Sequence, residues 1–420
     1  MSLTSSIRFI ICFLVINPNF LAFSQNKTYS DSIISMMDEI VAEGIRDQAF
    51  PGAVLYIQHK DSVLVHKAYG FFTYDSLRPT QNNDIFDLAS VTKVTAATLA
   101  LMKLYEDGLI DLDDPVRKYV SGFGHNKRGK ATIRETLAHQ AGWEPWIPYY
   151  KDMMEADGTY KKKFFRADSS AAFPIRLRDG LYLTSGYYAY IKKQIKHSNF
   201  DPERGFIYSG LFFYMVPEIV ETLTGKKMDV YLEETFYGPL GAATVGFNPM
   251  NRYPVERIVP TEIDDYFRNF AIHGVVHDEG AALMDGVSGN AGLFANAADL
   301  AKVWAMFMNN GQMDSLTFLS PSTLDLFTTV QFPNENNHRG LGFNKPFLVY
   351  NEKSSPVAKA AGFRSFGHTG YTGPLVWVDP DTDLLFIFLC NRVYPTRNQT
   401  RIYELNIRPR LHALSYELIR

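Results

Sequence analysis

The stretch Leu88–Lys93, with the sequence LASVTK, places a hydroxyl and an amine three positions apart where a strongly apolar helical pattern begins. At that spacing, Ser90 and Lys93 face the same side of one helical turn. A serine hydroxyl needs an adjacent base, and a lysine amine can serve when burial depresses its pKa. Backbone N–H groups at a helix start stabilise a developing oxyanion. The segment therefore predicts covalent catalysis, although a helix cap followed by a surface lysine would have the same pattern.

Hydrophobic periodicity outside this segment indicates a fold built from both ends of the chain. The pattern predicts a helix over 30–48 and two strands, Ala53–His59 and Ser62–Tyr69, before the apolar helix over 92–105. Near the other end, it predicts two strands and a final helix: Leu375–Val378, Leu384–Cys390 and Ile402–Ile419. Helical patterns broken by Gly and Pro fill the middle. This order predicts an α/β domain interrupted by a mostly helical one.

The first 24 residues are typical of a secretory signal. Arg8 precedes the short apolar run Phe9–Ile16, and small residues at 22 and 24 predict cleavage before Gln25. A buried strand or a membrane anchor is the alternative, but a membrane-spanning helix needs about 20 apolar residues. We therefore expect an exported protein, periplasmic or extracellular, with no stable membrane anchor.

Composition narrows the class of protein. The chain has 420 residues, 46% hydrophobic and 21% charged, which excludes a disordered chain or a coiled coil. Its 42 Lys and Arg against 45 Asp and Glu give a net charge of −3, which argues against nucleic acid as a partner. Once Cys12 leaves with the signal, Cys390 stands alone, so we expect a buried inert thiol and no disulfide.

Two further segments supply partners for the serine and lysine. Tyr208–Gly210 precedes a second apolar helical run, and a phenolic oxygen near the lysine can relay the serine proton, as a phenolate or through the lysine. The segment Gly367–Gly373 (GHTGYTG) follows a predicted strand, where glycines allow close backbone approach to a ligand. Taken singly, Tyr208 is also compatible with a core tyrosine and His368 with a turn residue.

The order Ser-x-x-Lys, Tyr-Ser-x, His-Thr-Gly resembles the serine β-lactamase and penicillin-binding family, particularly its class C, DD-peptidase and esterase branch. The resemblance covers about residues 30–415. It implies an α/β fold of the α+β type, in which an antiparallel sheet flanked by N- and C-terminal helices is interrupted by a mostly helical domain. We expect the sheet domain at 25–105 and 325–420, and the inserted domain at 106–324.

The family's catalytic roles then fall on specific residues of this chain. Ser90 resembles the acylated nucleophile, Lys93 its proton-handling neighbour, and Tyr208 the tyrosine that acts in acylation and in activating the deacylating water. The backbone N–H groups of Ser90 and Tyr371 would form the oxyanion hole. The resemblance implies no metal and no organic cofactor.

The substrate-binding motifs depart from the family pattern at two positions. His368, Thr369 and Gly370 match the third motif, but many β-lactamases have lysine at the first position, and histidine is only partly charged near pH 7. The second motif usually ends in Asn, which contacts the substrate amide. Gly210 stands there instead, so that contact is absent or comes from elsewhere, with Asn290 as a candidate. Both departures argue against an efficient β-lactamase.

Two other features leave alternatives open. The aromatic-rich stretch 143–190 either lines a cleft wall or simply packs an insertion. The triplet His277-Asp278-Glu279 suggests a metal, but without a His-Glu-x-x-His frame we expect a surface role or one behind the site.

We therefore expect an exported serine hydrolase acting on amide or ester bonds of a small-molecule, peptide or muropeptide substrate. Similarity to an N-acetylmuramyl-L-alanine amidase subgroup favours peptidoglycan recycling. The alternatives are a β-lactamase or small-ester esterase, a penicillin-binding sensor that acylates without turnover, and a non-catalytic scaffold. The sequence does not determine the oligomeric state.

Overall fold

The computed structural model describes residues 18–420 except 202 and 204, and side chains from residue 29 onward. Its helices are α1 Pro18–Arg46, α2 Leu99–Glu106, α3 Ile133–Leu137, α4 Tyr187–His197, α5 Val216–Thr224, α6 Met228–Leu232, α7 Glu279–Ala282, α8 Ala297–Met308, α9 Pro321–Thr328, α10 Arg401–Glu404 and α11 Ile407–Leu418. Its strands are β1 Gly52–His59, β2 Ser62–Gly70, β3 Phe86–Asp87, β4 Phe165–Arg166, β5 Ile175–Arg178, β6 Leu181–Leu183, β7 Gly246–Phe247, β8 Glu262–Asp264, β9 Phe270–Ile272, β10 Leu293–Ala295, β11 Gln312–Met313, β12 Leu316–Thr317, β13 Phe366–Thr369, β14 Leu375–Asp379 and β15 Leu384–Cys390.

The main sheet joins the two ends of the chain. It has five antiparallel strands in the order β13-β14-β15-β1-β2, with Ala53 opposite Cys390 and Leu55 opposite Phe388. A hairpin connects each sequential pair, and the central contact between β15 and β1 brings together residues more than 300 positions apart. The predicted antiparallel sheet is confirmed, and β15 has the bounds that the sequence indicated.

Both faces of the sheet are buried at strands β1, β14 and β15, which explains their continuous apolar sequences. Successive side chains of a strand point to opposite faces. In β15, Phe386 and Phe388 pack with α1 and α11. Leu385 and Ile387 point to the other face and join the core beneath the inserted region, the residues 71–365 between β2 and β13. A sheet covered on two faces needs apolar residues at every position rather than at alternate ones.

Most predicted elements near the ends are confirmed, and one is wrong in detail. The predicted final helix is two helices, α10 and α11, because Asn406 adopts a left-handed conformation with φ of 50° between them. Cys390 is buried, and its pKa is raised to about 12 by loss of solvation, as expected for an inert thiol. Within the described chain, no helix has the length and apolarity required to cross a membrane.

The first 17 residues of the predicted signal lie outside the described residues, and α1 begins at Pro18. In the aromatic-rich stretch, Trp143, Tyr149 and Tyr187 are buried in the core, while Trp146 is exposed. Most of that stretch therefore packs the insertion.

Candidate active site

Ser90 sits at a tight turn between a short strand and a helix. β3 ends at Asp87, whose carboxylate accepts the N–H of Ala89 at 2.7 Å. Ala89 has a φ of 45°, a conformation that costs a residue with a Cβ about 1 kcal/mol or more. A 3₁₀ turn over Ala89–Val91 follows. A π-helical segment over Lys93–Thr98 then leads into α2. The strained turn presents Ser90 to a cavity, while its neighbours Ala89 and Val91 are buried.

Lys93 is buried one turn further on, with its amine held beside the serine. Lys93 Nζ lies 3.0 Å from Ser90 Oγ and donates to the carbonyl of Asn290 at 2.9 Å. Only 3% of the lysine is exposed, so the amine has a fixed position. The predicted pair is therefore brought within hydrogen-bonding distance.

Tyr208 completes this cluster from the inserted region. Lys93 Nζ lies 5.5 Å from the centroid of its ring, and Arg339 Cζ lies 5.4 Å from the same centroid. Burial of the hydroxyl would raise the pKa of Tyr208, but the charges of Lys93 and Arg339 and hydrogen bonding with Ser90 and Lys93 outweigh it. The pKa is consequently lowered from its ordinary value. The hydroxyl is thus suited to exchange a proton with Ser90.

The third motif lies on the edge strand β13 and the turn after it. His368, Thr369, Gly370 and Tyr371 all line the same cavity as Ser90. Within the turn, the Gly370 N–H donates to Pro374 O at 2.8 Å and the Gly373 N–H to Gly370 O at 3.1 Å. These bonds fix the backbone of the turn around Tyr371.

The surroundings of His368 favour the neutral form of its ring. It is 1% exposed, and its Nδ1 lies 2.7 Å from Thr369 O while Nε2 lies 3.2 Å from Arg339 Nη2. Burial, and then the neighbouring charges of Arg339 and Lys93, hold its pKa well below the ordinary value. Arg339 is the cation that contacts the third motif in the cavity.

Neither Gly210 nor Asn290 supplies a side-chain amide to the cavity. A Cβ at Gly210 would meet only Pro145 O at 3.9 Å, so the position is open space. The Asn290 amide accepts from Ser288 Oγ at 2.6 Å and donates to Asp278 at 3.1 Å. Asn290 therefore contributes its main-chain carbonyl, which holds Lys93, and the geometry gives no support to a direct substrate contact.

The triplet beginning at His277 lies behind the site rather than on the surface. His277 Nε2 lies 2.8 Å from Glu262, and the His277 N–H donates to the carboxylate of Asp87 at 2.8 Å. Arg397 joins Glu262 and Glu279 in ion pairs of 2.7 and 2.9 Å. In the described part of the chain, no group of three His, Cys, Asp or Glu side chains is arranged to hold a metal ion.

Sequence reasoning missed two arginines of the site. Arg339 contacts His139, Tyr208 and His368, and Arg392 donates to Tyr371 O at 2.8 Å while stacking on its ring at 4.4 Å. Arg392 is the second residue after β15, a position that signals proximity to the neighbouring β13–β14 turn. Arg339 lies in an irregular loop with no local pattern to single it out.

The cavity in front of Ser90 has a volume of about 470 Å³, which is suited to a small-molecule or short-peptide ligand. Exposed aromatic rings of Tyr208 and Tyr371, 37% and 47% exposed, stand at its mouth.

Comparisons with known proteins agree with this arrangement. The Beta-lactamase family model matches residues 37–407. A protein of Escherichia coli O157:H7 named "Putative D-alanyl-D-alanine carboxypeptidase" is 30% identical over 384 residues, covering 86% of this chain and 82% of that relative. Because the match spans most of both chains, it extends over the sheet and the inserted region.

Solved structures show the same fold. A penicillin-binding protein homologue from Caulobacter crescentus covers 91% of this chain and 97% of its own, with a TM-score of 0.62 and 16% identity. EstCE1, a hydrolase with promiscuous acyltransferase activity, covers 91% and 99% with a TM-score of 0.63 and 19% identity. The chain belongs to the Beta-lactamase family and is a serine hydrolase of the β-lactamase and DD-peptidase type.

Proposed function

We propose that the protein is an exported enzyme that forms an acyl-enzyme on Ser90 and cleaves amide or ester bonds in cell-wall-derived peptides or muropeptides. The observation that carries this proposal is the meeting of three groups. The Lys93 amine lies 3.0 Å from Ser90 Oγ, and the hydroxyl of Tyr208, with its lowered pKa, lies beside both. A serine hydroxyl beside a group that can accept its proton is an activated nucleophile.

The reaction follows from these positions. Ser90 Oγ attacks the substrate carbonyl carbon, and its proton passes to the phenolate of Tyr208, directly or through the Lys93 amine. The carbonyl oxygen becomes an oxyanion held by the N–H groups of Ser90 and Tyr371. When the tetrahedral intermediate collapses, the amine or alcohol leaves with that proton. Water, deprotonated by the same base, then attacks the acyl carbon; the bond to Ser90 Oγ breaks, the proton returns to Oγ, and the acyl group leaves as a carboxylic acid.

The substrate class rests on the relatives and on the cavity. The similar proteins of Escherichia and Salmonella are named "Putative D-alanyl-D-alanine carboxypeptidase". Such an enzyme cleaves the peptide bond of a D-alanyl-D-alanine unit. A cavity of about 470 Å³ with aromatic rings at its mouth suits a short peptide. Gly210 and His368 both depart from the motif pattern of an efficient β-lactamase, and this supports a peptidase or esterase instead.

Intact-protein mass spectrometry tests the nucleophile. After exposure to a fluorophosphonate and, separately, to muropeptide fragments, we expect one adduct that maps to Ser90. Ser90→Ala should abolish it, and Lys93→Ala should slow turnover by about three orders of magnitude or more. Ser62→Ala, an exposed serine at the start of β2, is the matched control and should retain full labelling. An adduct on any other residue would remove Ser90 from its role.

Steady-state kinetics with a cephalosporin separates the alternatives. We expect peptide or muropeptide turnover with slow cephalosporin hydrolysis. Fast cephalosporin turnover without peptide cleavage would instead identify a β-lactamase, and a stable adduct with no turnover would identify a sensor.

Export and domain division are part of the same proposal. A sheet formed by residues 52–70 and 366–390 supports a sheet domain at 25–105 and 325–420, with an inserted domain at 106–324. Sequencing the N-terminus of the protein from its native host should give Gln25, and an intact Met1 would reject the predicted cleavage.

A further inference from the structure

The two N–H groups of the proposed oxyanion hole come from opposite ends of the chain. Ser90 follows β3, whereas Tyr371 lies in the turn between β13 and β14. Two donors stabilise an oxyanion only when both point at the position that the same oxygen will occupy. The groups that hold the Tyr371 N–H in direction therefore contribute to the rate of the reaction.

The Tyr371 N–H is an unused donor at the cavity. It makes no hydrogen bond with any residue that the structure describes, and Tyr371 lines the same cavity as Ser90. The N–H groups of Gly370 and Gly373, by contrast, both donate within the turn. Most backbone donors of a folded protein have a partner, so the free Tyr371 N–H is available to a ligand oxygen.

Arg392 holds two of the three heavy-atom groups on the Tyr371 Cα. Its Nε donates to the Tyr371 carbonyl at 2.8 Å, and its Cζ lies 4.4 Å from the centroid of the Tyr371 ring. Because the Cα is tetrahedral, fixing the carbonyl and the ring also fixes the direction of the N–H. Arg392 is 2% exposed, its Nη1 donates to Gln399 O at 2.5 Å, and its own N–H donates to Thr372 O at 2.8 Å. The guanidinium is therefore itself held in place.

Thr372 ties the same turn to the segment that precedes the nucleophile. Its buried hydroxyl donates to Asp87 O at 2.8 Å, and the carboxylate of Asp87 accepts the N–H of Ala89 at 2.7 Å. The two segments also approach closely, since a Cβ at Gly370 would lie 2.6 Å from Leu88 O. One residue of β3 thus bonds to the chain neighbours of both oxyanion donors.

We propose that Thr372 and Arg392 are positioning residues that aim the Tyr371 N–H at the oxyanion opposite the Ser90 N–H. Neither side chain lines the cavity, so both act through the main chain of the turn. Their loss should weaken binding of the transition state and leave binding of the substrate nearly unchanged. This inference rests on the proposed acyl-enzyme function and deepens it by assigning residues outside the motifs.

Thr372→Val removes the hydroxyl with almost no change in side-chain volume. We expect kcat for a peptide ending in D-alanyl-D-alanine to fall about tenfold or more, because a displaced donor loses much of the stabilisation that an aligned one gives. The Kd of the same peptide, measured by calorimetry in a Ser90→Ala background, should change by less than about twofold. Thr372→Ser keeps the hydroxyl and should stay within about threefold of the wild-type kcat. An unchanged kcat in Thr372→Val would remove Thr372 from this role.

Arg392→Met keeps a long side chain but removes the donor. Its kcat/KM should fall about tenfold or more, and phenylboronic acid, which adds to a serine hydroxyl to give a tetrahedral borate, should bind more weakly by a similar factor. Arg78→Met is the matched control, because Arg78 also stacks on a ring, 4.1 Å from Phe72, and donates to Glu256 O at 3.1 Å, away from the turn. The control should lower Tm without changing kcat or boronate binding. The same result in Arg392→Met would overturn the role of Arg392.

The rate of fluorophosphonate labelling separates this inference from the proposed function, because labelling requires Ser90 but no peptide. If the wild-type protein labels at Ser90 but cleaves no peptide, the peptidase proposal falls, and slower labelling of Thr372→Val than of Thr372→Ser would still support the positioning role. If the wild-type protein cleaves peptides and both Thr372→Val and Arg392→Met label and turn over at its rate, the positioning role falls and the proposed function stands.

Discussion

At the scale of single residues, the main finding is that Arg339, from a different loop, contacts the third motif at His368, the position where many β-lactamases have lysine. The surroundings of His368 favour its neutral form, and Arg339, 29 residues earlier, contacts its Nε2 and stacks beside Tyr208. The arginine thus places positive charge beside the phenol rather than on the motif itself. Its effect should appear in the ionisation of Tyr208.

Replacing Arg339 by Met should raise the pKa of Tyr208, because one of the two cations that lower it is removed. If the phenolate is the base, activity rises with pH through that pKa, so the midpoint of the rising limb of kcat/KM should move upward by about one pH unit. This shift is measured from profiles of kcat/KM against pH for the wild-type protein and for Arg339→Met.

Arg339→Lys, which keeps the charge, is the matched control and should leave that midpoint nearer to the wild-type value. An unmoved midpoint in Arg339→Met, with the fold intact by circular dichroism, would separate Arg339 from the ionisation of Tyr208.

At the scale of elements, buried ion pairs tie β8 and the loop after β15 to the segment behind Ser90. Hydrogen bonds and charges from His277 and Arg397 outweigh burial and lower the pKa of Glu262 to about 2. The same contact with Glu262 raises the pKa of His277 despite its burial. His277 in turn donates its N–H to Asp87, which positions Ala89, so this network supports the turn that carries Ser90.

The stability contributed by the pair of Glu262 and His277 should depend on pH in a defined direction. A carboxyl with a depressed pKa stabilises the fold above its unfolded value near 4.5, and this is lost as pH falls towards 2. A histidine with a raised pKa stabilises below about 6.5, and this is lost as pH rises through its folded value. The contribution should therefore be largest between about pH 4.5 and 6.5.

Glu262→Gln should accordingly lower the free energy of unfolding by about 3 kcal/mol at pH 5.5 and by less at pH 3. Urea unfolding at the two pH values measures this difference. Glu404→Gln, which breaks an exposed pair with Arg401, should change little at either pH. A Glu262→Gln effect that is as large at pH 3 as at pH 5.5 would contradict the depressed pKa.

At the scale of the whole molecule, the sheet depends on both ends of the chain. Three of its five strands, β13 to β15, follow residue 340, and β1 pairs along its length with β15. A chain that ends at residue 340 would expose one edge of β1 and both apolar faces that β15 helps to bury. Non-local pairing of this kind cannot be replaced by local contacts.

We therefore expect the fragment 25–340 to show no cooperative thermal transition and no fluorophosphonate labelling. The matched control is residues 25–420, which should melt cooperatively and label at Ser90. Circular dichroism and mass spectrometry give the two readouts. A cooperative transition in the fragment would show that the part before residue 340 folds alone.

The sequence by itself determined most elements at the two ends of the chain and the order of the motifs. Strands β1, β2 and β15 are encoded by local apolar runs bounded by turn residues, and the spacing of Ser90 and Lys93 needs only a helical turn to bring them together. The separation of the catalytic motifs along the chain matched a known family, so the expected nucleophile, base and third motif were available before any coordinates.

Only the tertiary structure decided which charges meet. Arg339 lies in a segment without a motif, and Asn290 contributes its carbonyl rather than its amide. The neutral state of His368 depends on burial and on cations from distant segments. Local periodicity follows from backbone geometry within a few residues, whereas burial and charge pairing depend on which distant segments pack together, and no short stretch of sequence contains that information.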